Sequence, residues 1–241
     1  MKQVHFILQG KGGVGKSLIA SIFAQYQKSL GKKVQCFDTD PVNQTFMRFK
    51  GLDVEQINIM TEHKTIDTSK FDNLVEIIAE SDNEVFVIDN GAATFVPLMN
   101  YMLENHIIDE VFASLGVEVI IHVPVVGGQA MHDSILGLGD VIEAFNTSVV
   151  VWANQYWGKL DNVQTWSVVK QNKAKVLGIV ELKDYNPDTF GKDLTKMMSE
   201  ALTFDEVMAS KDFRLMQKQR IKVIKTEIFN QLDNVFQGDN T

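Results

Sequence analysis

Short apolar runs recur along the chain at residues 4–8, 34–37, 85–88, 117–123, 149–152 and 176–180. Each is rich in Val or Ile and nearly continuous in apolar character, which is how a parallel strand buried on both faces reads. Between them, residues 16–30, 71–80 and 129–145 carry helix-like patterns. Strands alternating with helices predict an α/β fold, a doubly wound, mostly parallel sheet flanked by helices. After residue 180 the pattern turns mainly helical, broken near the Asn186-Pro187 pair, and residues 238–241 read as a frayed tail. No repeat, low-complexity tract or Pro/Ser/Gly linker divides the chain. The expectation is one domain over residues 1–241, with a mainly helical part from about 188.

Composition narrows the function classes. A chain of 241 residues can bury a full core without staples. The net charge of −8 argues against coating DNA or anionic membrane with the whole surface. The single cysteine, Cys36, excludes an internal disulfide framework and a CxxC metal site, and fits a reducing compartment. The apolar start at residues 4–8 is too short for a signal peptide and runs into a glycine loop. No stretch reads as a spanning helix. His5, His63, His106, His122 and His132 show no metal-ligand spacing, and His122 reads as structural. The expected location is cytoplasmic, with a peripheral position on the inner membrane face as the alternative.

The strongest chemical signal follows the first strand. Gly10-Lys11-Gly12-Gly13-Val14-Gly15-Lys16-Ser17 matches the spacing GxxxxGK[ST] and opens the first helix. Glycines let the backbone curl so that several N–H groups point at phosphate oxygens, and the helix adds its positive N-terminal end. Lys16 supplies a charge for the β- and γ-phosphates, and the Ser17 hydroxyl suits Mg²⁺. Gly12, Gly13, Val14, Gly15, Lys16, Ser17 and Leu18 are therefore expected to bind nucleotide. Val85-Phe86-Val87-Ile88-Asp89 is a buried strand ending in an acid, the form in which a carboxylate holds Mg²⁺ or its water shell. Asp38-Thr39-Asp40-Pro41 ends the second strand facing the same crevice, although an Asp-Pro turn alone also reads this way. The absence of an NKxD run after the fifth strand favours ATP over GTP.

The loop with its additional lysine, Lys11, resembles the deviant Walker A loop of the ParA/MinD family, which includes the nitrogenase iron protein and the arsenite-pump ATPase. The resemblance implies an ATP-dependent homodimer in which Lys11 reaches the partner's nucleotide. It also implies that Asp38 supports Mg²⁺ through water, that Asp40 orients the attacking water, and that Asn154 binds the adenine edge. Asn90-Gly91-Ala92 departs from the commoner Thr-Pro-Pro switch, and Gly91 is a candidate flexible peptide there. Tyr156 and Trp157 read as core or interface more readily than as packing for the base. Further tracts, among them Gly127-Gly128-Gln129-Ala130, Tyr156-Trp157-Gly158 and Leu202-Thr203-Phe204-Asp205, resemble plasmid conjugal transfer members of the family over nearly the whole chain. That likeness implies a partner in a conjugal transfer apparatus.

Lys211, Arg214, Lys218, Lys222 and Lys225 fall on one helical stripe, with Phe213, Met216, Val223, Ile224 and Ile228 opposite. A solvated surface helix is favoured over contact with DNA or anionic membrane. The rival functions are a P-loop kinase or ligase acting on a small molecule, and a non-catalytic nucleotide-binding adaptor. An electron-transfer protein like the nitrogenase iron protein is excluded, because its cluster takes two cysteines per subunit.

Overall fold

The computed structural model describes residues 1–61, 63 and 65–238, so most of the expected tail lies outside the described residues. The sheet contains β1 (Lys2–Ile7), β2 (Val34–Asp38), β3 (Glu55–Gln56), β4 (Val85–Asp89), β5 (Val117–Val126), β6 (Ser148–Asn154) and β7 (Val176–Leu182). Their order is β3-β2-β4-β1-β5-β6-β7, and every pairing is parallel. All six apolar runs are strands, as continuous burial on two faces predicts. The two-residue β3 is too short and too exposed to leave a hydrophobic pattern.

The helices are α1 (Lys16–Ser29), α2 (Phe71–Glu80), α3 (Phe95–Glu104), α4 (Met131–Ala144), α5 (Ser167–Gln171), α6 (Phe190–Ser199), α7 (Phe204–Ala209) and α8 (Leu215–Gln237). One face of the sheet packs against α2, α3, α4 and α5. The other packs against α1, with α6, α7 and α8 folded back beside it in the same hydrophobic cluster. Helix α3 escaped the sequence pattern because Phe95, Leu98, Met99, Tyr101 and Met102 all bury, leaving little polar contrast. Pro97 sits in its first turn, where a missing N–H costs nothing.

In α8 the buried stripe is Ile221, Ile224, Ile228 and Leu232. Met216 was expected on that side but lies in the first turn and is exposed. The basic stripe is also shorter than its sequence implies, because Lys211 and Phe213 precede α8 and Arg214 is its N-cap. Lys218 donates to the Met208 carbonyl, and Lys225 pairs with Asp205. Two of the five cations are thereby held inside the protein's own contacts.

A polar chain is buried between the sheet and the helices α1 and α8. The Trp152 indole N–H donates to His122 Nδ1 at 2.9 Å, and His122 Nε2 lies 2.9 Å from His5 Nδ1. An indole can only donate, so His122 Nδ1 must accept, and a neutral His122 carries its proton on Nε2. That proton goes to His5 Nδ1, which puts the proton of His5 on Nε2. His5 Nε2 has no partner among the described residues. Phe23 and Phe236 pack around both rings.

Burial holds both histidines neutral. It pushes His122 down to about 3 and, with the nearby His122 ring, lowers His5 well below its ordinary value. Unfolded, each takes up a proton near pH 6.5; folded, neither does. Their contribution to stability is therefore present above about pH 6.5 and is lost as pH falls, by up to about 1.4 kcal/mol per histidine per pH unit. Carboxylates raised by burial, such as Asp38 at about 6, titrate with the opposite sign. The difference between wild type and His5→Leu/His122→Gln isolates the histidines. Denaturant titrations from pH 8 to pH 5 should show the wild type losing stability relative to this variant. A difference independent of pH contradicts a neutral buried pair.

Candidate nucleotide site

Three strands end together and set the site. In the register, Ile7 and Asp38 both flank Asp89. The glycine loop leaving β1 therefore arches over the acid that ends β4. The loop takes its curl from Gly13 and Gly15, whose φ angles are +75° and +97°. An L side chain rarely adopts that region. Gly15 also faces the Asn154 amide, 2.8 Å from where a Cβ would stand.

Two cavities meet at this loop. A polar one of about 610 Å³ is lined by Gly12, Gly13, Gly15, Lys16, Ser17, Leu18, Asp40 and Asp89 among others. A more apolar one of about 380 Å³ is lined by Leu18, Ile22, Asn154, Tyr156, Trp157, Tyr185, Leu194 and Met198. They share Gly13, Gly15, Leu18, Thr45 and Met198. A charged chamber opening into an apolar one suits a polyphosphate joined to an aromatic base.

Asp89 is buried, and its Oδ1 has no hydrogen-bond partner among the described residues. Burial raises its carboxyl; the nearby Ser17 hydroxyl and Lys16 oppose that, while Asp38 and Asp40 add to it. Burial lowers the Lys16 amine, against the attraction of Asp89 and Asp40. The Lys16 ammonium donates to the Lys11 carbonyl at 3.2 Å. An orphaned carboxylate oxygen costs roughly 1–3 kcal/mol or more when nothing satisfies it. Hard oxygen donors from Asp89 and Ser17 beside a phosphate loop fit Mg²⁺, which binds through one or two protein oxygens and phosphate. Among the described residues, no cluster of three or more His, Cys, Asp or Glu forms a metal cage.

The other acids behave differently from one another. Asp40 Oδ1 accepts from the Val42 and Asn43 N–H groups at 2.9 Å each, so it builds its own turn while lining the polar cavity. Asp38, expected to support Mg²⁺ through water, stands beside Asp89 in the sheet but does not line the cavity. Its Oδ1 accepts from Asp40 N at 2.9 Å, and its Oδ2 accepts from Phe46 N and Met47 N at 3.1 and 3.2 Å. Fully buried and bound on both oxygens, it braces the loop that carries Asp40.

Asn154 lines the apolar cavity with half of its amide already engaged. It donates to the Val14 carbonyl at 3.0 Å and accepts from Tyr156 N at 3.2 Å. One N–H and one lone pair remain for a base. Val14 itself is buried and lines neither cavity. Tyr156 and Trp157 are exposed on the cavity rim instead of buried in the core. Lys11 is partly exposed and pairs with Asp133 at 2.7 Å, a surface contact worth little.

Gly91 has an extended backbone with φ −65°, so conformational freedom is not why glycine stands there. A Cβ would meet the Asp40 carboxyl carbon at 2.7 Å. Spacing also did not reveal Asn90. Its buried Oδ1 accepts from the Thr39 and Thr94 hydroxyls at 3.0 and 2.7 Å, tying the loop after β2 to the loop after β4. Gln9 was missed as well. Its amide donates to the Pro124 and Ser134 carbonyls at 3.0 Å each, while Oε1 accepts from Lys11 N at 3.4 Å. Only contacts between distant segments expose either role.

The chain matches the CobQ/CobB/MinD/ParA nucleotide-binding domain family over residues 5–210 and belongs to that family. Two Escherichia coli proteins called Protein TraL are 40% and 41% identical to it over 240 and 239 residues. Each match covers 97% of this chain and 98% of the relative. The septum site-determining protein MinD of Pyrococcus horikoshii, solved with Mg-ADP, shares the fold at a TM-score of 0.59 and 14% identity, with 100% of both chains covered.

Gln9 supplies a stability test of the loop's foundation. A Cβ on Gly137 in α4 would stand 2.1 Å from Gln9 Oε1. Without a clash, Gly→Ala inside a helix should gain about 1 kcal/mol. Here Gly137→Ala is expected to lose about 1–3 kcal/mol in urea denaturation, because Gln9 is held at three points and cannot swing aside. Adding Gln9→Ala should recover part of the loss. A more stable Gly137→Ala protein would show that the Gln9 anchor is loose.

Proposed function

We propose that this protein is an ATP-hydrolysing dimer switch of the ParA/MinD type, cytoplasmic, and serving plasmid conjugal transfer through a protein partner. The observation that carries the reading is the polar cavity, where Lys16, Ser17, Asp40 and the orphaned Asp89 oxygen converge under the glycine loop. The identity to the two TraL proteins supports the role in transfer. No helix among the described residues is long and apolar enough to cross a membrane.

In this reading Lys16 neutralises the terminal phosphates, and the curled backbone from Gly12 to Ser17 receives their oxygens. Ser17 and Asp89 would hold Mg²⁺, which would supply positive charge against the phosphates. Asp40 keeps one carboxylate oxygen on its own turn and uses the other to orient a water toward the terminal phosphate. Asn154 receives adenine in the apolar cavity. Lys11 leaves Asp133, a contact weak enough to break, and reaches the nucleotide of a second subunit. A cation placed there in trans acts as an arginine finger does, worth about 10³–10⁵ in rate. Hydrolysis then separates the subunits.

Light scattering with ATP and Mg²⁺, with ADP, and without nucleotide tests this on wild type and Lys11→Ala. The wild type should dimerise only with ATP. Lys11→Ala should still bind ATP but lose the dimer, or lose hydrolysis by about 10³-fold or more. A variant that keeps both refutes the crossing lysine. A wild-type mass indifferent to nucleotide points instead to a small-molecule kinase or an adaptor.

A further inference from the structure

Two side chains at the end of β6 grip consecutive carbonyls of the phosphate loop. The Asn154 amide donates to the Val14 carbonyl, and the Trp157 indole N–H donates to the Gly13 carbonyl, each at 3.0 Å. In a trans peptide the C=O and the following N–H point opposite ways. Holding the Gly13 carbonyl toward Trp157 therefore turns the Val14 N–H away from Trp157. Holding the Val14 carbonyl toward Asn154 does the same to the Gly15 N–H. Neither of these N–H groups donates to a backbone acceptor among the described residues.

Trp157 is set in place by backbone contact and not by burial. The residue is 58% exposed, so filling the core does not explain it. The Trp157-Gly158 backbone instead presses against Gly127-Gly128. A Cβ on Gly127 would stand 2.2 Å from the Gly158 carbonyl oxygen, and one on Gly128 would stand 2.6 Å from that of Trp157. Tyr156 meets the indole edge-on, with ring centroids 4.8 Å apart. An exposed indole held this firmly, with its one polar atom on a phosphate-loop carbonyl, has a geometric task.

We infer that Trp157 is a positioning residue for phosphate binding: by fixing the Gly13 carbonyl outside the loop, it keeps the Val14 N–H turned into the curl that receives phosphate oxygens. The inference rests on the nucleotide-binding reading. It distinguishes Trp157 from a residue that only packs against the base, a role its place on the rim of the apolar cavity would also allow.

Trp157→Phe keeps a ring and removes the donor. Competition against mant-ATP measures ATP, pyrophosphate and adenosine on wild type and variant. Loss of one orienting hydrogen bond should weaken ATP and pyrophosphate alike, by about three- to tenfold. Adenosine should be unchanged within about twofold and serves, with the thermal unfolding midpoint, as the control for an intact fold. A merely structural role would move adenosine too. The inference is overturned if pyrophosphate affinity is unchanged, or if adenosine weakens as much as ATP. A wild type that binds no mant-ATP refutes the nucleotide-binding reading itself, a separate failure seen before any variant is made.

Discussion

A buried carboxylate and a largely buried ammonium share one chamber at the carboxyl edge of the sheet, and the surrounding structure holds them there. Asp89 and Lys16 each lose hydration, and each is shifted toward its neutral form by that loss. Charges taken out of water are costly unless they are paired and hydrogen-bonded. The fold tolerates this pair because the parallel register of β1, β2 and β4 delivers Asp89 under the loop, and because neighbouring groups are held so firmly. Asp38 braces one loop through three backbone N–H groups, and Asn90 ties that loop to the next. Such a site resembles the strained, incompletely satisfied centres that bind charged ligands more than it resembles a stabilised core.

The phosphate loop is held on several sides. Gln9 anchors its start to β5 and α4, Asn154 and Trp157 hold its crown, and Lys16 returns to the Lys11 carbonyl. These contacts fix peptide planes, and orientation prepared in advance is what makes a cradle of N–H groups effective for an anion. Lys11 is the exception. It stands on the surface in an exposed ion pair with Asp133, worth little to stability.

Much of this could be read in the sequence. The strands were legible because parallel strands buried on two faces leave unbroken Val and Ile runs. The meeting of Lys16, Ser17 and Asp89 in one cavity was expected from their spacing and their place after a strand. The bracing contacts of Asp38 were not: its carboxylate is held by the N–H groups of Phe46 and Met47 in a later turn, which no local spacing encodes. Gly91 suggested backbone freedom and proved to be a matter of space beside Asp40. Gln9, Asn90 and the Trp157 contact join segments far apart in the chain, and no local pattern encodes them.

The central claim is that the chamber under the loop is a magnesium–polyphosphate site with Asp89 at its base. Calorimetric titration of ATP with Mg²⁺ and with EDTA, on wild type and Asp89→Asn, tests it most directly. Mg²⁺ should tighten ATP binding to the wild type, and this gain should disappear in the variant. ATP binding that ignores Mg²⁺ in the wild type, or a gain that survives intact in Asp89→Asn, would contradict it.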